Sequence, residues 1–247
     1  MQTDKLEILY QDEHYVAINK PSGLLVHPTI IDRHEKRVAM RLLRDQLGKR
    51  VYVVHRLDKP TSGVLLFALD QQAARKVSDQ FARREIQKTY LAVIRGFVEE
   101  KGQINFALKE VEDKILNQKS ANLKDATTNY QKLAEYELDA NISRYPISRY
   151  SLVQIKPKTG RMHQIRRHLS QIRHPIIGDT KYGDRHHNRY FREKLDCNRL
   201  LLSATELIFI HPFYKSSVKI TSPLESQFIG ILDNFNWRKT VSADLIC

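Results

Sequence analysis

The stretch Val51-Tyr52-Val53-Val54-His55-Arg56-Leu57-Asp58-Lys59-Pro60-Thr61-Ser62-Gly63-Val64-Leu65-Leu66-Phe67-Ala68-Leu69 decides how this chain is read. Its flanks, Val51–Val54 and Val64–Leu69, are apolar, rich in β-branched or large side chains, and of strand length. Between them a histidine, an arginine, a carboxylate and two hydroxyls crowd into a segment punctuated by Pro60 and Gly63. The pattern predicts a polar loop held between two buried strands, the setting in which a rigid scaffold presents chemistry.

The 247 residues suffice for one large domain with its own core, so no disulfide or metal staple is required. Hydrophobic content of 41% and charged content of 28% exclude wholesale disorder and a fibrous protein. Charge is the unusual quantity. Forty-one Lys and Arg against 28 Asp and Glu leave a formal net charge of +13. A field of that sign concentrates polyanions, and nucleic acid is the leading partner. No membrane partner is expected, because no apolar run approaches the roughly 20 residues of a spanning helix and Met1–Lys5 lacks the apolar core of a signal peptide. Cys197 and Cys247 are too few for a disulfide framework, which fits a cytoplasmic, reducing setting. His186-His187 has no second ligand pair at metal-binding spacing, so no metal is expected there.

Upstream, Leu6–Tyr10 and His14–Ile18 read as the strands of a hairpin that delivers Asn19-Lys20-Pro21-Ser22-Gly23, a turn expected to expose Lys20. Ala39, Leu42, Leu43 and Leu47 recur at helical spacing between Lys36 and Leu47, with Gly48 as a stop. The basic outer face of that helix reads equally as an RNA-facing surface or a solvated flank. Ala74, Val77, Phe81 and Ile86 predict a second helix, and Lys88–Arg95 a strand in which Tyr90 is either core filler or a ring offered to a base. Residues 99–127 form a polar excursion with weak periodicity.

Tyr150–Ile155 reads as a strand ending in the basic turn Lys156–Arg161. In the helix expected next, Met162, Ile165, Leu169 and Ile172 make an apolar stripe, and His163, Arg166, Ser170 and Arg173 a polar one. Arg166 is there either as solvent-exposed charge or to reach inward to a buried carboxylate. Residues 181–192 read as a basic loop and Leu200–Ile210 as a strand. Ser222-Pro223-Leu224-Glu225 reads as a capping box opening a packing helix that carries Phe228, Ile231 and Phe235.

The chemistry turns on Asp58. A Mg²⁺-dependent nuclease or phosphoryl-transfer site needs two or more carboxylates, and Asp58 has no acidic neighbour at short spacing. A hydrolytic triad needs an elbow such as G-x-S-x-G, which is absent. A pure binding module gains nothing from a carboxylate in a positive groove. A lone carboxylate acting as nucleophile or base toward a nucleoside remains.

His55-Arg56-Leu57-Asp58-x-x-Thr61-Ser62-Gly63, Asn19-Lys20-Pro21-Ser22-Gly23, Lys88-x-Tyr90-x-Ala92, Gly160-Arg161-x-His163-Gln164-Ile165-Arg166 and His174-Pro175-Ile176-Ile177-Gly178-Asp179 resemble, in order, the motifs of the RluA-type pseudouridine synthases. The resemblance covers roughly residues 6 to 222. It implies conversion of a uridine in RNA to its C-glycoside isomer without cofactor or metal. It implies an α/β (α+β) fold with a mixed, largely antiparallel central sheet and flanking helices, as one catalytic domain over residues 1–247 without the amino-terminal S4 domain many relatives carry.

By the same likeness Asp58 is the nucleophile, attacking base or sugar, and the uridine is flipped out of the RNA. Arg56 would fill the vacated space, Tyr90 would stack on the uracil and assist proton removal, and Arg166 would pair with Asp58. Lys20, His55, Thr61, Arg161 and His163 lie in the same motifs and are expected on the RNA-binding face. Ser203 stands where many relatives show histidine. The likeness along the whole chain points to uridine 65 of certain tRNAs, and the chain is expected to act as a monomer. A target in rRNA or at another tRNA position is the alternative within the family, and an inactive RNA-binding module the alternative of another class.

Overall fold

The computed structural model describes residues 5–28, 37–109 and 122–246. In chain order it contains β1 (Glu7–Gln11), β2 (Tyr15–Lys20), α1 (Ala39–Leu47), β3 (Tyr52–Val53), β4 (Ser62–Ala68), α2 (Gln71–Ala82) and β5 (Gln87–Arg95). There follow β6 (Lys101–Asn105), β7 (Leu108–Lys109), β8 (Leu123–Lys124), β9 (Thr127–Leu138), β10 (Ser148–Pro157), α3 (Gln164–Gln171), α4 (Arg185–Lys194), β11 (Leu202–Ile210), β12 (Ser217–Thr221) and α5 (Ser226–Asn234). These gather into two compact units: the described residues of Met1–Lys88 and Ser203–Leu224 form one, Thr89–Leu202 and Glu225–Ile246 the other. No helix among the described residues is long and apolar enough to cross a membrane.

In the first unit β1 and β2 form the expected hairpin, closed by the Asp12 carboxylate, which accepts the backbone N–H groups of His14 and Tyr15 at 2.7 Å each. β4 is the centre, antiparallel to β2 and β3 and parallel to β11, which in turn pairs with β12 antiparallel. Every residue of β4 is buried, which is why its sequence is a continuous apolar run rather than an alternating one. Tyr15, Val64, Leu66, Leu207 and Phe209 pack with Ala73 and Val77 of α2 into one core. Asp70 caps α2 by accepting from the Ala73 N–H at 2.7 Å.

The second unit pairs β6, β9, β10 and β5 antiparallel in that order. α3 buries Ile165 and Leu169, and also Gln164, Arg166 and His168. Those polar groups are satisfied: Gln164 donates to the Thr127 carbonyl and the Thr128 hydroxyl at 3.0 Å each, and His168 bridges Thr128 Oγ1 and the Phe106 carbonyl. Tyr136, Tyr150, Phe191 and Trp237 pack around Phe235 just beyond α5. The expected class holds: helices flank largely antiparallel strands, and the parallel β4–β11 pair makes the arrangement mixed.

Three local expectations are corrected. Residues 181–184 are the expected turn, but from Arg185 the segment is helix α4, capped by Asp184 and anchored by the buried pair His187 and Phe191. Ser222 does not cap a helix: α5 starts at Ser226, the Ser222 hydroxyl donates to Asn19 Oδ1 at 2.8 Å, and its N–H continues the strand ladder to Thr205. Met162 precedes α3 and is exposed, so the apolar stripe of that helix begins at Ile165. The helix expected from Lys36 begins at Ala39, and Lys36 lies outside the described residues, as does the middle of the 99–127 excursion.

Gly63 sits where β4 meets β11, at φ +107°, and a Cβ there would lie 2.1 Å from the Ala204 carbonyl oxygen. Backbone strain and backbone clash add. Gly63→Ala is therefore expected to destabilise the protein by about 3 kcal/mol, measured by urea unfolding; a loss under about 1 kcal/mol would show that β4 and β11 separate easily.

Candidate active site

The loop before β4 and the turn after β2 form one body. Thr61 N–H closes the loop onto the Asp58 carbonyl at 3.0 Å, with the Thr61 side chain buried, Asp58 half-buried and Arg56 exposed. Lys20 ends β2 opposite Gly63, and its side chain is fully buried. Its Nζ donates to the carbonyls of Pro21 and Leu24 at 2.8 Å each and of Lys59 at 3.1 Å. The expectation of an exposed Lys20 is thus corrected. Carbonyls from two segments turn inward together, and an ammonium, with three donors and no acceptor, suits them. Gly23 N–H to Lys59 O at 2.9 Å and Ser22 Oγ to Pro60 O at 2.8 Å complete the clamp.

His55 supports the same loop from its other end. Its Nε2 accepts the Leu66 N–H at 2.9 Å while its ring stacks on Phe81 at 4.8 Å between centroids. Burial, with repulsion from the Lys88 ammonium, pushes its pKa down from 6.5 to about 3. At neutral pH the ring is uncharged and Nε2 is the acceptor that β4 needs. Ser203, buried on β11, accepts the Ser62 hydroxyl at 3.1 Å, so this position ties β4 to β11.

In the second unit Tyr90 is buried on β5 opposite Ile155 of β10. Arg166 reaches inward, as the sharper reading of its helix anticipates. It forks onto Asp179, Nε to Oδ2 at 2.8 Å and Nη2 to Oδ1 at 2.9 Å, with both side chains buried. Burial works to raise the Asp179 pKa, but Arg166 and the N–H groups of Tyr182 and Lys181 outweigh it and hold the carboxyl below its ordinary range. The Tyr182 ring lies 5.3 Å from the guanidinium, and its hydroxyl lies 3.0 Å from His163 Nδ1. Arg161, half-buried, donates Nε to the Asp125 carbonyl at 3.2 Å.

Lys20, His55, Arg56, Asp58 and Thr61 therefore share one clamped loop pair, and Arg161, His163 and Arg166 gather at the start of α3. The sequence reading missed Asp179 as an Arg166 partner. A signal was present, because Asp179 closes the His174–Asp179 turn just after the helix that carries Arg166. The clamped loop presents a single half-buried carboxylate on a backbone with little freedom, a geometry suited to one nucleophile.

Residues 14–171 match the model of a family described as RNA pseudouridylate synthase. The chain is 47% identical over 239 residues to tRNA pseudouridine synthase C of Vibrio vulnificus, covering 96% of this chain and 98% of that protein. It is 47% identical over 238 residues to the protein of the same name from Haemophilus ducreyi, with 96% and 98% covered. Among solved structures, Human RNA Pseudouridylate Synthase Domain Containing 1 aligns with a TM-score of 0.69 and 27% identity over 91% of this chain and 85% of that one.

Two outcomes are expected of the clamped loop. Lys20→Met leaves three inward carbonyls without their donor and should cost about 3 kcal/mol in urea unfolding; a loss under about 1 kcal/mol would mean that water replaces the ammonium. For His55 the folded pKa of about 3 lies below the ordinary 6.5, so the unfolded chain binds a proton that the native ring refuses. Its contribution to stability is complete above pH 6.5 and declines as pH falls toward 3. Urea midpoints at pH 5 and pH 7 should differ less for His55→Gln than for the unaltered protein, and an equal difference would contradict this.

Proposed function

The chain belongs to the RNA pseudouridylate synthase family, and from that premise we propose that it isomerises uridine 65 of tRNA to pseudouridine, with Asp58 as nucleophile. The observation that carries the residue assignment is the clamp, since the Lys20 ammonium and the bonds from Ser22 and Gly23 fix the backbone that presents Asp58. The names of the relatives support tRNA as the substrate class, and the net charge of +13 favours an RNA partner.

The reaction leaves the composition of the nucleoside unchanged. The N1–C1′ bond breaks, the uracil turns, a C5–C1′ bond forms, C5 gives up its proton and N1 gains one. Attack by Asp58 on the sugar or on the base satisfies the same balance. The turning base needs a closed space, so the nucleotide leaves the RNA stack. Arg56, exposed two residues before Asp58, is the group to occupy the gap. The roles of Tyr90 as stacking ring and proton acceptor and of Arg166 as cationic partner rest on the resemblance of their motifs. The chain is taken to act as a monomer without cofactor or metal.

Asp58→Asn should lower tritium release from tRNA carrying 5-tritiated uridine by about a thousandfold or more while tRNA affinity is largely kept; retained turnover would remove Asp58 from the nucleophile's role. Mapping pseudouridine in total tRNA and rRNA from cells with and without the gene tests the position. Loss at tRNA position 65 is the expected result, and loss in rRNA alone would refute it.

A further inference from the structure

α4 is the most basic helix among the described residues and lies outside the proposed catalytic motifs. Its sequence from Arg185 to Lys194 carries Arg185, Arg189, Arg192 and Lys194 against a single acid, Glu193. At roughly 100° per residue, the three arginines fall within about 60° of one another. The buried residues His187 and Phe191 point to the opposite side. All three arginines are exposed, and among the described residues the Arg189 side chain takes part in no hydrogen bond or ion pair.

Solvated basic helices are common, but this one is held in place with unusual care. Asp184 caps it and pairs with Arg95; the Tyr150 hydroxyl and His187 Nδ1 lie 2.9 Å apart. Asn188 accepts the Gly178 N–H at 2.7 Å and donates to the Asp179 carbonyl at 2.9 Å. The arginine row is therefore fixed against the turn whose carboxylate grips Arg166. A row about 10 Å long at 1.5 Å per residue, made of guanidinium groups suited to phosphate, has charge complementarity to one kind of occupant.

We propose that the exposed arginine row of α4 is a docking surface for the sugar–phosphate backbone of the tRNA substrate, contacting it away from the target uridine. This rests on the tRNA reading above and adds a second attachment point to it. Contacts of this kind position the RNA without reading its sequence. They should act on binding and on its salt dependence, not on the chemical step.

The test compares Arg185→Gln/Arg189→Gln/Arg192→Gln with the unaltered protein and with a control that loses the same charge from exposed arginines of the first unit, Arg50→Gln/Arg75→Gln/Arg84→Gln. The α4 variant should bind tRNA about tenfold or more weakly, and the slope of log affinity against log salt should shrink by about 2. KM should rise while kcat at saturating tRNA stays unchanged. Lysine in place of the three α4 arginines should restore the slope. Equal harm from the control set, an unchanged slope, or no recovery with lysine would each overturn the docking surface. Binding of tRNA without isomerisation would sink the catalytic reading and leave this one standing.

Discussion

A lysine without access to solvent is the constraint on which the first unit depends. The Lys20 ammonium gathers carbonyls from its own turn and from Lys59, which lies 39 residues away in sequence. Two loops that would each be mobile alone become a single rigid body, with the buried β4 beneath it. A charge held this way costs desolvation free energy that only well-placed acceptors recover. Such an arrangement is poor at adding stability and good at fixing geometry, which is what a loop presenting one carboxylate needs.

The second unit repeats the idea with the signs of the surroundings exchanged. There Asp179 is the buried centre, met by the Arg166 fork and by two backbone N–H groups. Its own carbonyl is held in turn by Asn188 of α4. Helix α3, the 174–183 turn and α4 are thus linked by polar bonds inside the protein rather than by apolar packing alone. Polar networks of this kind hold a few side chains in one orientation, because any half-satisfied alternative leaves a buried group without a partner.

What could be read in the sequence follows from how local the cause is. The strand at 62–68 was legible because burial on both faces leaves an unbroken apolar run, whereas the strand expected over 51–54 shrinks to the half-buried pair Tyr52–Val53. The stop at Gly48 was legible because a left-handed residue ends a helix wherever it occurs. Lys20 was misread because its acceptors converge only in three dimensions, and a lysine in a turn ordinarily points to water. α4 was misread as loop because its anchoring face is one histidine and one phenylalanine within a basic run. Ser222-Pro223-Leu224-Glu225 had the local signature of a cap, yet a strand ladder and Asn19 claimed the serine first. For Arg166 the inward direction was legible on the helix and the Asp179 carboxylate was not, since the loop that brings it back obeys no simple period.

The parallel pair of β4 and β11 also sets an order in time. Ser62 and Gly63 meet Ser203 and Ala204 across some 140 positions of chain. Long-range parallel pairing is slow to form because the intervening chain must be closed first. On the ribosome, the strand that carries the Asp58 loop waits for its neighbour until most of the protein has been made. A chain released early, before β11 and β12, therefore lacks the partner strand beneath that loop. Such a chain would keep the Lys20 clamp around the loop and lose the Ser62–Ser203 bond that ties β4 to β11.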